Sequence, residues 1–201
     1  MSSLIRIIPQ VRDELCTRTP LVMTLDGVLS VDECAEQIAR IEAAGPEAAP
    51  ISVAGGFVMR PDLRNNTRVI FDDAPLARRL FERVRSAVPP ILEERWHLVG
   101  ANERLRCYRY QPGQYFAPHF DGAFHRDREE RSLLTFMIYL NACEGGGHTR
   151  FLDLGLAVAP KVGTALIFNH ALSHEGAEVT AGVKYALRSD LMFRRGPVPR
   201  S

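Results

Sequence analysis

RCYRYQPGQYFAPHFD, residues 106–121, is the stretch that decides how this chain of 201 residues folds. Its opening run is rich in aromatic residues, which predicts a β-strand, and the Pro-Gly after it predicts a turn. The stretch closes on His119-Phe120-Asp121, and side chains two apart on a strand point to the same face. An imidazole and a carboxylate on one face can bind the same metal ion. The stretch therefore predicts both a sheet and a metal site.

A later histidine, His174, can complete a three-ligand site. Two nitrogens and one carboxylate on one side of an ion leave the opposite positions open, which suits a non-haem Fe(II) that must hold a co-substrate together with dioxygen. Taken singly, each of the three residues is better explained as a core histidine or a strand-end carboxylate. The motifs that surround them decide between these interpretations.

Those motifs follow the opening stretch in order along the chain. Residues 139–141 read YLN, residues 146–151 read GGHTRF, and residues 160–168 read PKVGTALIF. His174-Glu-Gly comes next, with Lys184 ten residues after the histidine. Over roughly residues 100–195, and weakly from Pro20, the sequence resembles the prolyl 4-hydroxylase-like oxygenases that depend on 2-oxoglutarate and Fe(II).

The resemblance implies a role for six residues. It makes His119, Asp121 and His174 the iron ligands and catalytic centre, and Lys184 the cation that holds the far carboxylate of 2-oxoglutarate. The chain contains only two lysines against 23 arginines, which favours a specific role for Lys184 over a surface charge. The two remaining residues, Tyr139 and Tyr110, are implied to be pocket tyrosines. Tyr139 is favoured as the hydroxyl donor to that carboxylate, and an ordinary core role is the alternative for both.

Three further residues stay open at this point. Thr149 and Arg188 are explained equally well as co-substrate ligands or as strand packing and a surface salt bridge. His170 could orient an iron ligand, but a position in a loop is favoured.

The reaction that the resemblance implies is hydroxylation of an unactivated C–H bond, with Fe(II) as metal and 2-oxoglutarate and O2 as co-substrates. It leaves ascorbate open as a reductant. A prolyl or other residue of a peptide or protein is the expected substrate, and a free amino acid or small metabolite is the alternative. A metal-binding barrel without catalytic activity ranks third. The net charge of +1 argues against a nucleic-acid partner.

Composition predicts one domain, residues 1–201, because 46% hydrophobic residues suffice for a single sizeable core. We expect helical support over about 1–98 and a catalytic barrel core over about 100–195. The four cysteines form no C-x-x-C pair, and neither a signal segment nor a long apolar run is evident, so we expect a cytoplasmic protein without a membrane partner. The sequence does not indicate an oligomeric state.

The expected fold is mainly β with flanking helices. Ser30 to Glu33 reads as a capping box that opens a helix, with Gly45 as its end, and a second helix is expected from about Pro75. Many short strands without helices between them favour a double-stranded β-helix, or jelly-roll, barrel braced by the N-terminal helices. The expected strands are 105–110, 133–140, 149–153, 164–169 and 183–193.

Strand alternation sorts the side chains of two of these strands. On the strand 133–140, the side with Thr135, Met137 and Tyr139 is mixed in polarity and suits a pocket interior. On the strand 183–193, Lys184, Arg188 and Asp190 share a face with Ala186, and its three charges predict a solvent-facing sheet edge. Two polar loops, 125–131 and 60–68, are candidates for a lid and for a grip on a substrate backbone or carboxylate.

Overall fold

The computed structural model describes residues 3–6, 21–53 and 56–197. Two helices are present in this part of the chain, α1 Val31–Ala43 and α2 Ala74–Val84. A single 3-10 turn covers Leu152–Leu154. The strands are β1 Ser3–Arg6, β2 Leu21–Leu25, β3 Glu47–Ala48, β4 Ile51–Val53, β5 Gly56–Val58, β6 Thr67–Asp72, β7 Ile91–Leu92, β8 Trp96–Ala101, β9 Arg104–Tyr110, β10 Phe116–His119, β11 Glu130–Tyr139, β12 Gly145–Gly146, β13 Thr149–Phe151, β14 Leu156–Val158, β15 Ala165–Asn169, β16 His174–Gly176, β17 Val179–Ala181 and β18 Lys184–Arg195.

The predicted capping box begins α1. The Glu33 amide donates to Ser30 Oγ at 3.1 Å, and the Ser30 amide donates to the Glu33 carboxylate at 2.9 Å. The helix ends before Gly45, whose φ of +66° is the left-handed conformation that glycine tolerates best. Both helix boundaries predicted for α1 are therefore confirmed.

The second helix also begins where predicted. Asp73 is its N-cap, accepting from the Leu76 amide at 3.0 Å, and Pro75 occupies the first turn. Its apolar face, with Leu76, Leu80 and Val84, is buried in the main core. The Arg40 guanidinium, 2.7 Å from the Asp73 carboxylate, joins the two helices. These helices pack on one face of the large sheet and leave its other face for the site.

A ten-stranded antiparallel sheet forms the larger wall of the barrel. Its main path runs β1-β2-β15-β11-β18-β9-β6-β3, and β8 pairs with both β18 and β7. Four strands in this path precede residue 98, so the N-terminal half contributes strands to the barrel as well as the helices expected there. A smaller four-stranded sheet, β10-β16-β13-β14, forms the opposing wall. This arrangement matches the predicted double-stranded β-helix, mainly β with flanking helices.

The registers of the large sheet decide which side chains share its inner face. Lys184 lies opposite Tyr110 across β18 and β9, and Arg188 lies opposite Arg106. On the other side of β18, Arg188 lies opposite Met137 of β11. Paired residues point to the same face of a sheet, so the charged face of β18 continues the face of β11 that was expected to line a pocket. The prediction of a solvent-facing edge for β18 was wrong: Lys184 and Asp190 are only 3% and 1% exposed.

Neither helix in the described residues is long and apolar enough to cross a membrane. Cys34, Cys107 and Cys143 are free thiols, and Cys16 lies outside the described residues.

Candidate metal centre and co-substrate pocket

The smaller sheet brings the three predicted ligands together. His119 ends β10, His174 begins β16, and the two are directly opposite each other in the register of that strand pair. Asp121 follows β10, where its amide donates to the His170 carbonyl at 3.1 Å. One ligand atom from each residue lies within 4.8 Å of the others. His119 and His174 are 55 residues apart in sequence, and the antiparallel pairing of β10 with β16 brings them together.

Both histidines are neutral imidazoles with Nε2 available to bind a metal ion. Nδ1 of His119 lies 2.8 Å from the Ala117 carbonyl, and Nδ1 of His174 lies 2.9 Å from the Leu172 carbonyl. A carbonyl can only accept, so each Nδ1 carries the proton and each Nε2 lone pair is free for a metal. Burial, helped by the neighbouring imidazole, lowers the pKa of His119 to about 3, and burial also lowers the pKa of His174.

Asp121 remains ionised although it is buried. Burial opposes its ionisation, but the positive charge of Arg188, with smaller effects from the site histidines, holds the pKa of the carboxyl below its usual value. The Arg188 guanidinium lies 3.0 Å from Asp121 Oδ1. Two neutral imidazoles and one carboxylate are the donor set that suits Fe(II), so the residues present fit the metal.

His170 lies in the turn after β15, as expected, and it also supports the metal site, which the sequence had left as the less favoured alternative. It is 2% exposed, with Nδ1 2.9 Å from Thr135 Oγ1 and Nε2 2.8 Å from Ser132 Oγ. Thr135 donates to Asp121 Oδ2 at 2.6 Å, so its oxygen accepts from His170 Nδ1–H and Ser132 then donates to Nε2. Burial lowers the pKa of His170 to about 4, which keeps this ring neutral. The hydrogen-bond chain fixes the orientation of the carboxylate.

Thr135→Val is expected to weaken Fe(II) affinity about tenfold or more, because the isosteric side chain no longer donates to Asp121. Titration of the metal-free protein with Fe(II) under argon measures the effect. Thr164→Val is the matched control, since Thr164 is also buried but donates to Asp26 at 2.8 Å, away from the metal site. Equal iron affinity in the Thr135 variant and the wild type would show that this hydrogen bond does not support the metal.

The metal ligands open into a pocket that encloses about 470 Å³ of empty space. Its walls come from both sheets and include Tyr110 of β9, Thr149 of β13 and Lys184 of β18, besides the apolar Met137 and Phe168. Thr149 and Arg188, which the sequence left open, both line it.

Lys184 is the buried cation of this pocket. Its ammonium donates to the Gly147 carbonyl at 2.6 Å and lies 5.1 Å from the centre of the Tyr110 ring and 5.5 Å from that of Tyr139. No carboxylate of the described residues forms an ion pair with it. Burial lowers its pKa to about 8. A desolvated ammonium without an anionic partner fits the far carboxylate of a dicarboxylic acid.

The two tyrosines have different positions. The Tyr139 hydroxyl donates to Thr149 Oγ1 at 2.7 Å, and Tyr139 is absent from the described pocket wall. Tyr110 forms part of the wall, and its hydroxyl lies 3.6 Å from the position that a Cβ atom on Gly176 would occupy. Tyr110 thus lines the pocket directly, and the Tyr139 hydroxyl reaches it through Thr149; the role of Tyr139 as favoured hydroxyl donor stays a prediction. The sequence alone could not show which of the two tyrosines lines the pocket, because their positions depend on the strand register.

The loop 125–131 lies away from this pocket. Arg126 pairs with Glu103 at 2.6 Å and with Glu130 at 3.0 Å, and no residue of the loop contributes to the described pocket walls. The segment just before it, Phe120 to Phe124, does line the adjoining groove. The lid expected at 125–131 is therefore not supported by the position of the loop.

Together, fold and site define a double-stranded β-helix protein with a His-Asp-His metal centre beside a cation-bearing pocket. Residues 105–189 match the family model of the 2OG-Fe(II) oxygenase superfamily, where 2OG is 2-oxoglutarate. Over this segment the chain resembles the superfamily, and its relatives make it prolyl 4-hydroxylase-like.

A relative from Acanthamoeba polyphaga mimivirus that carries the name of a prolyl 4-hydroxylase is 36% identical over 110 residues, which are 46% of this chain and 45% of the relative. The chain spans less than half the length of the first curated relatives it matches.

Solved structures agree with the fold. The viral collagen prolyl hydroxylase of Paramecium Bursaria Chlorella virus-1, in its 2OG complex, has a TM-score of 0.60 at 24% identity, covering 86% of this chain and 96% of that one. A Trichoplax adhaerens prolyl hydroxylase in complex with a peptide fragment of the hypoxia inducible factor oxygen degradation domain has a TM-score of 0.61 at 16% identity, covering 85% and 82%.

Proposed function

We propose that this protein is a 2-oxoglutarate- and Fe(II)-dependent oxygenase that hydroxylates a prolyl residue of a peptide. The observation that carries the proposal is the presence, in one pocket, of a His-Asp-His centre and a buried ammonium without an anionic partner among the described residues. The relatives that bear the prolyl 4-hydroxylase name, and the peptide bound by the Trichoplax structure, support the choice of substrate.

Six residues of the pocket have a physical task in this reaction. His119, Asp121 and His174 would hold Fe(II), and Lys184 would neutralise the far carboxylate of 2-oxoglutarate. Bound Fe(II) supplies the activation of dioxygen and the oxidation of a C–H bond, chemistry that no side chain of the pocket can perform. The apolar walls, with Met137 and Phe168, keep water away from the reacting atoms.

The affinity for 2-oxoglutarate should depend on pH through Lys184. In the free protein the pKa of its ammonium is about 8, below the ordinary 10.5. Below pH 8 the group is charged and ready to bind the anion. Above pH 8 the free protein must take up a proton to bind, so affinity falls by up to about tenfold for each pH unit. Titrations of 2-oxoglutarate from pH 7 to pH 10 measure this, and the dependence should disappear in Lys184→Ala. Equal affinity at every pH in the wild type would contradict the contact.

Two measurements test the function itself. Anaerobic addition of Fe(II) and then 2-oxoglutarate should produce the visible metal-to-ligand charge-transfer band of a chelated 2-oxoacid. With air admitted, proline-containing peptides should gain one oxygen by mass spectrometry in step with succinate release. A well-folded protein that shows no band, or succinate release that no peptide stimulates while free amino acids do, would reject the proposed peptide hydroxylase.

A further inference from the structure

A second, larger groove opens beside the metal ligands, and its wall is strongly basic. It encloses about 1370 Å³ of empty space, part of it open to solvent, and shares His119 and Asp121 with the co-substrate pocket. Among the described residues, Asp121, one of the three candidate metal ligands, is its only acidic lining residue. Five arginines line this surface, which we call the arginine groove: Arg64, Arg68, Arg104, Arg106 and Arg188.

Three of the five arginines already have carboxylate partners. Arg104 pairs with Asp72 at 3.0 Å, and Arg106 pairs with the buried Asp190 at 3.3 Å. Arg188 pairs with Asp121 at 3.0 Å. These pairs account for three of the positive charges and leave two, those of Arg64 and Arg68, without a carboxylate among the described residues.

Arg64 is the more buried of the two. It is 5% exposed, and its guanidinium lies 4.4 Å from the centre of the Phe116 ring and 4.8 Å from that of Tyr108. Nε donates to Asn66 at 2.8 Å, but Nη2 is buried and has no hydrogen-bond partner among the described residues. An arginine that served only to fill space between two rings would have its donors satisfied, because an unpaired buried donor is costly.

Phe116 links Arg64 to the metal centre. Its ring stacks on the imidazole of His119 with 3.6 Å between centroids, and the Arg64 guanidinium lies over the same Phe116 ring. A group bound at Arg64 would therefore lie on the same wall of the groove as an iron ligand. A substrate group bound by Arg64 would thus lie close to the metal centre, where the substrate must react.

Arg68 lies four residues further along, on β6, and is half-buried. Its guanidinium forms no ion pair in the described structure and lies 5.9 Å from the centre of the Phe57 ring. Burial lowers its pKa, and the charges of Arg64, Arg106 and Arg104 lower it further. Like charges gathered in one partly desolvated groove repel each other, and an anionic ligand would relieve that repulsion.

We propose that the arginine groove binds a carboxylate of the substrate, carried by an aspartate or glutamate side chain that flanks the hydroxylated residue. The proposal rests on the peptide hydroxylase function proposed above. A carboxylate accepts two parallel hydrogen bonds from one guanidinium, which suits Arg68. Arg64 adds a second positive charge beside it, although its Nε and Nη1 already donate to Asn66 and to the Pro50 carbonyl. The aromatic rings beside them can pack against the apolar part of the same peptide.

Binding of three blocked nonapeptides with a central proline tests this proposal. The first alternates glutamate and glycine on both sides of the proline, the second has glutamine for every glutamate, and the third is the second with a free C-terminal carboxylate in place of the amide. Fluorescence anisotropy of labelled peptides with the Fe(II)-loaded protein under argon gives the affinities without any turnover. The acidic peptide should bind about tenfold or more tightly than its glutamine counterpart.

Arg68→Gln is the main variant, because no residue that the structure describes forms a hydrogen bond with the Arg68 side chain whose loss would disturb the fold. It should remove most of the preference for the acidic peptide, and Arg64→Gln should do the same if it folds. Arg78→Gln, an exposed change on α2 with the same loss of charge, should leave the preference intact.

The outcomes separate as follows. Tight binding of the third peptide as well would support the groove and assign it a C-terminal carboxylate as one source of the anion. Equal binding of the acidic and glutamine peptides, or of neither, would overturn the proposal, as would a preference that survives in Arg68→Gln. If the charge preference is found but no peptide is hydroxylated, the proposed reaction fails while the anion site remains.

Discussion

Replacing His174 with alanine is expected to abolish both iron retention and turnover. It is one of only three ligands, and its Nε2 is the atom that the Leu172 carbonyl leaves free for the metal by taking the Nδ1 proton. Two remaining ligands cannot hold Fe(II) against solvent at a site that must also leave positions open for co-substrates. Metal content after dialysis, and succinate release with 2-oxoglutarate, measure the two effects.

His125→Ala is the control for this variant, because His125 is exposed and lies outside both pockets. It should retain wild-type iron content and activity. Full activity in His174→Ala would remove the residue from the assignment of metal ligands.

Asp121 needs a more careful substitution than His174 does. Its carboxylate neutralises Arg188, whose side chain is 16% exposed, as well as being available to the metal, so Asp121→Ala would leave that guanidinium with one partner fewer. Asp121→Asn also removes the charge, but it keeps the shape and one acceptor oxygen for Thr135, and Arg188 keeps Asp190 at 3.3 Å, so this variant should lose iron while retaining the fold. Circular dichroism and metal content together distinguish loss of the ligand from loss of structure.

Lys184→Ala is expected to weaken 2-oxoglutarate binding by roughly 2–5 kcal/mol, which is tens to thousands of fold. The variant would leave the far carboxylate of the co-substrate buried without its cation. Iron affinity should change little, since Lys184 lies on β18 in the large sheet and two of the three metal ligands lie on strands of the small one. A titration of 2-oxoglutarate against the Fe(II)-loaded variant, followed by the charge-transfer band, gives the affinity.

The second lysine of the chain provides the matched control. Lys161 is 63% exposed and pairs with Asp26 at 2.6 Å, so Lys161→Ala removes the same charge from the surface and should not alter binding. Lys184→Arg should be only partly tolerated, because the Gly147 carbonyl at 2.6 Å leaves little room for a longer, planar group. If Lys184→Ala binds as tightly as the wild type, the anchor lies elsewhere in the pocket, with Arg188 the next cation to test.

Local patterns were sufficient for the elements that the sequence predicted correctly. These patterns are the capping box at Ser30, the proline in the first turn of α2 and the short apolar and aromatic runs. Each acts over a few residues, so the helix or strand that it favours can be predicted without knowing which distant segments pack against it. The expected strand 105–110, for example, is β9 Arg104–Tyr110. The cytoplasmic location stays a prediction.

Burial of the charged face of β18 could not be predicted in this way. Alternation states which residues share a face, but the identity of the inner face depends on the strands that pair with it. Arg188 and Asp190 were assigned to solvent because three charges on one face are usually hydrated. In the barrel they are compensated by Asp121 and by Arg106, groups that come from other elements of the chain.

The sequence by itself determined the fold class and predicted the three metal-binding candidates and a role for Lys184, because ordered motifs and period-two spacing carry that information locally. Only the tertiary structure decided that Tyr110 rather than Tyr139 lines the pocket, that His170 supports Asp121, and that Arg64 and Arg68 have no carboxylate partner among the described residues of a basic groove. These are properties of contacts between distant segments. Their energies depend on desolvation and on charge partners, which exist only once the two sheets have come together.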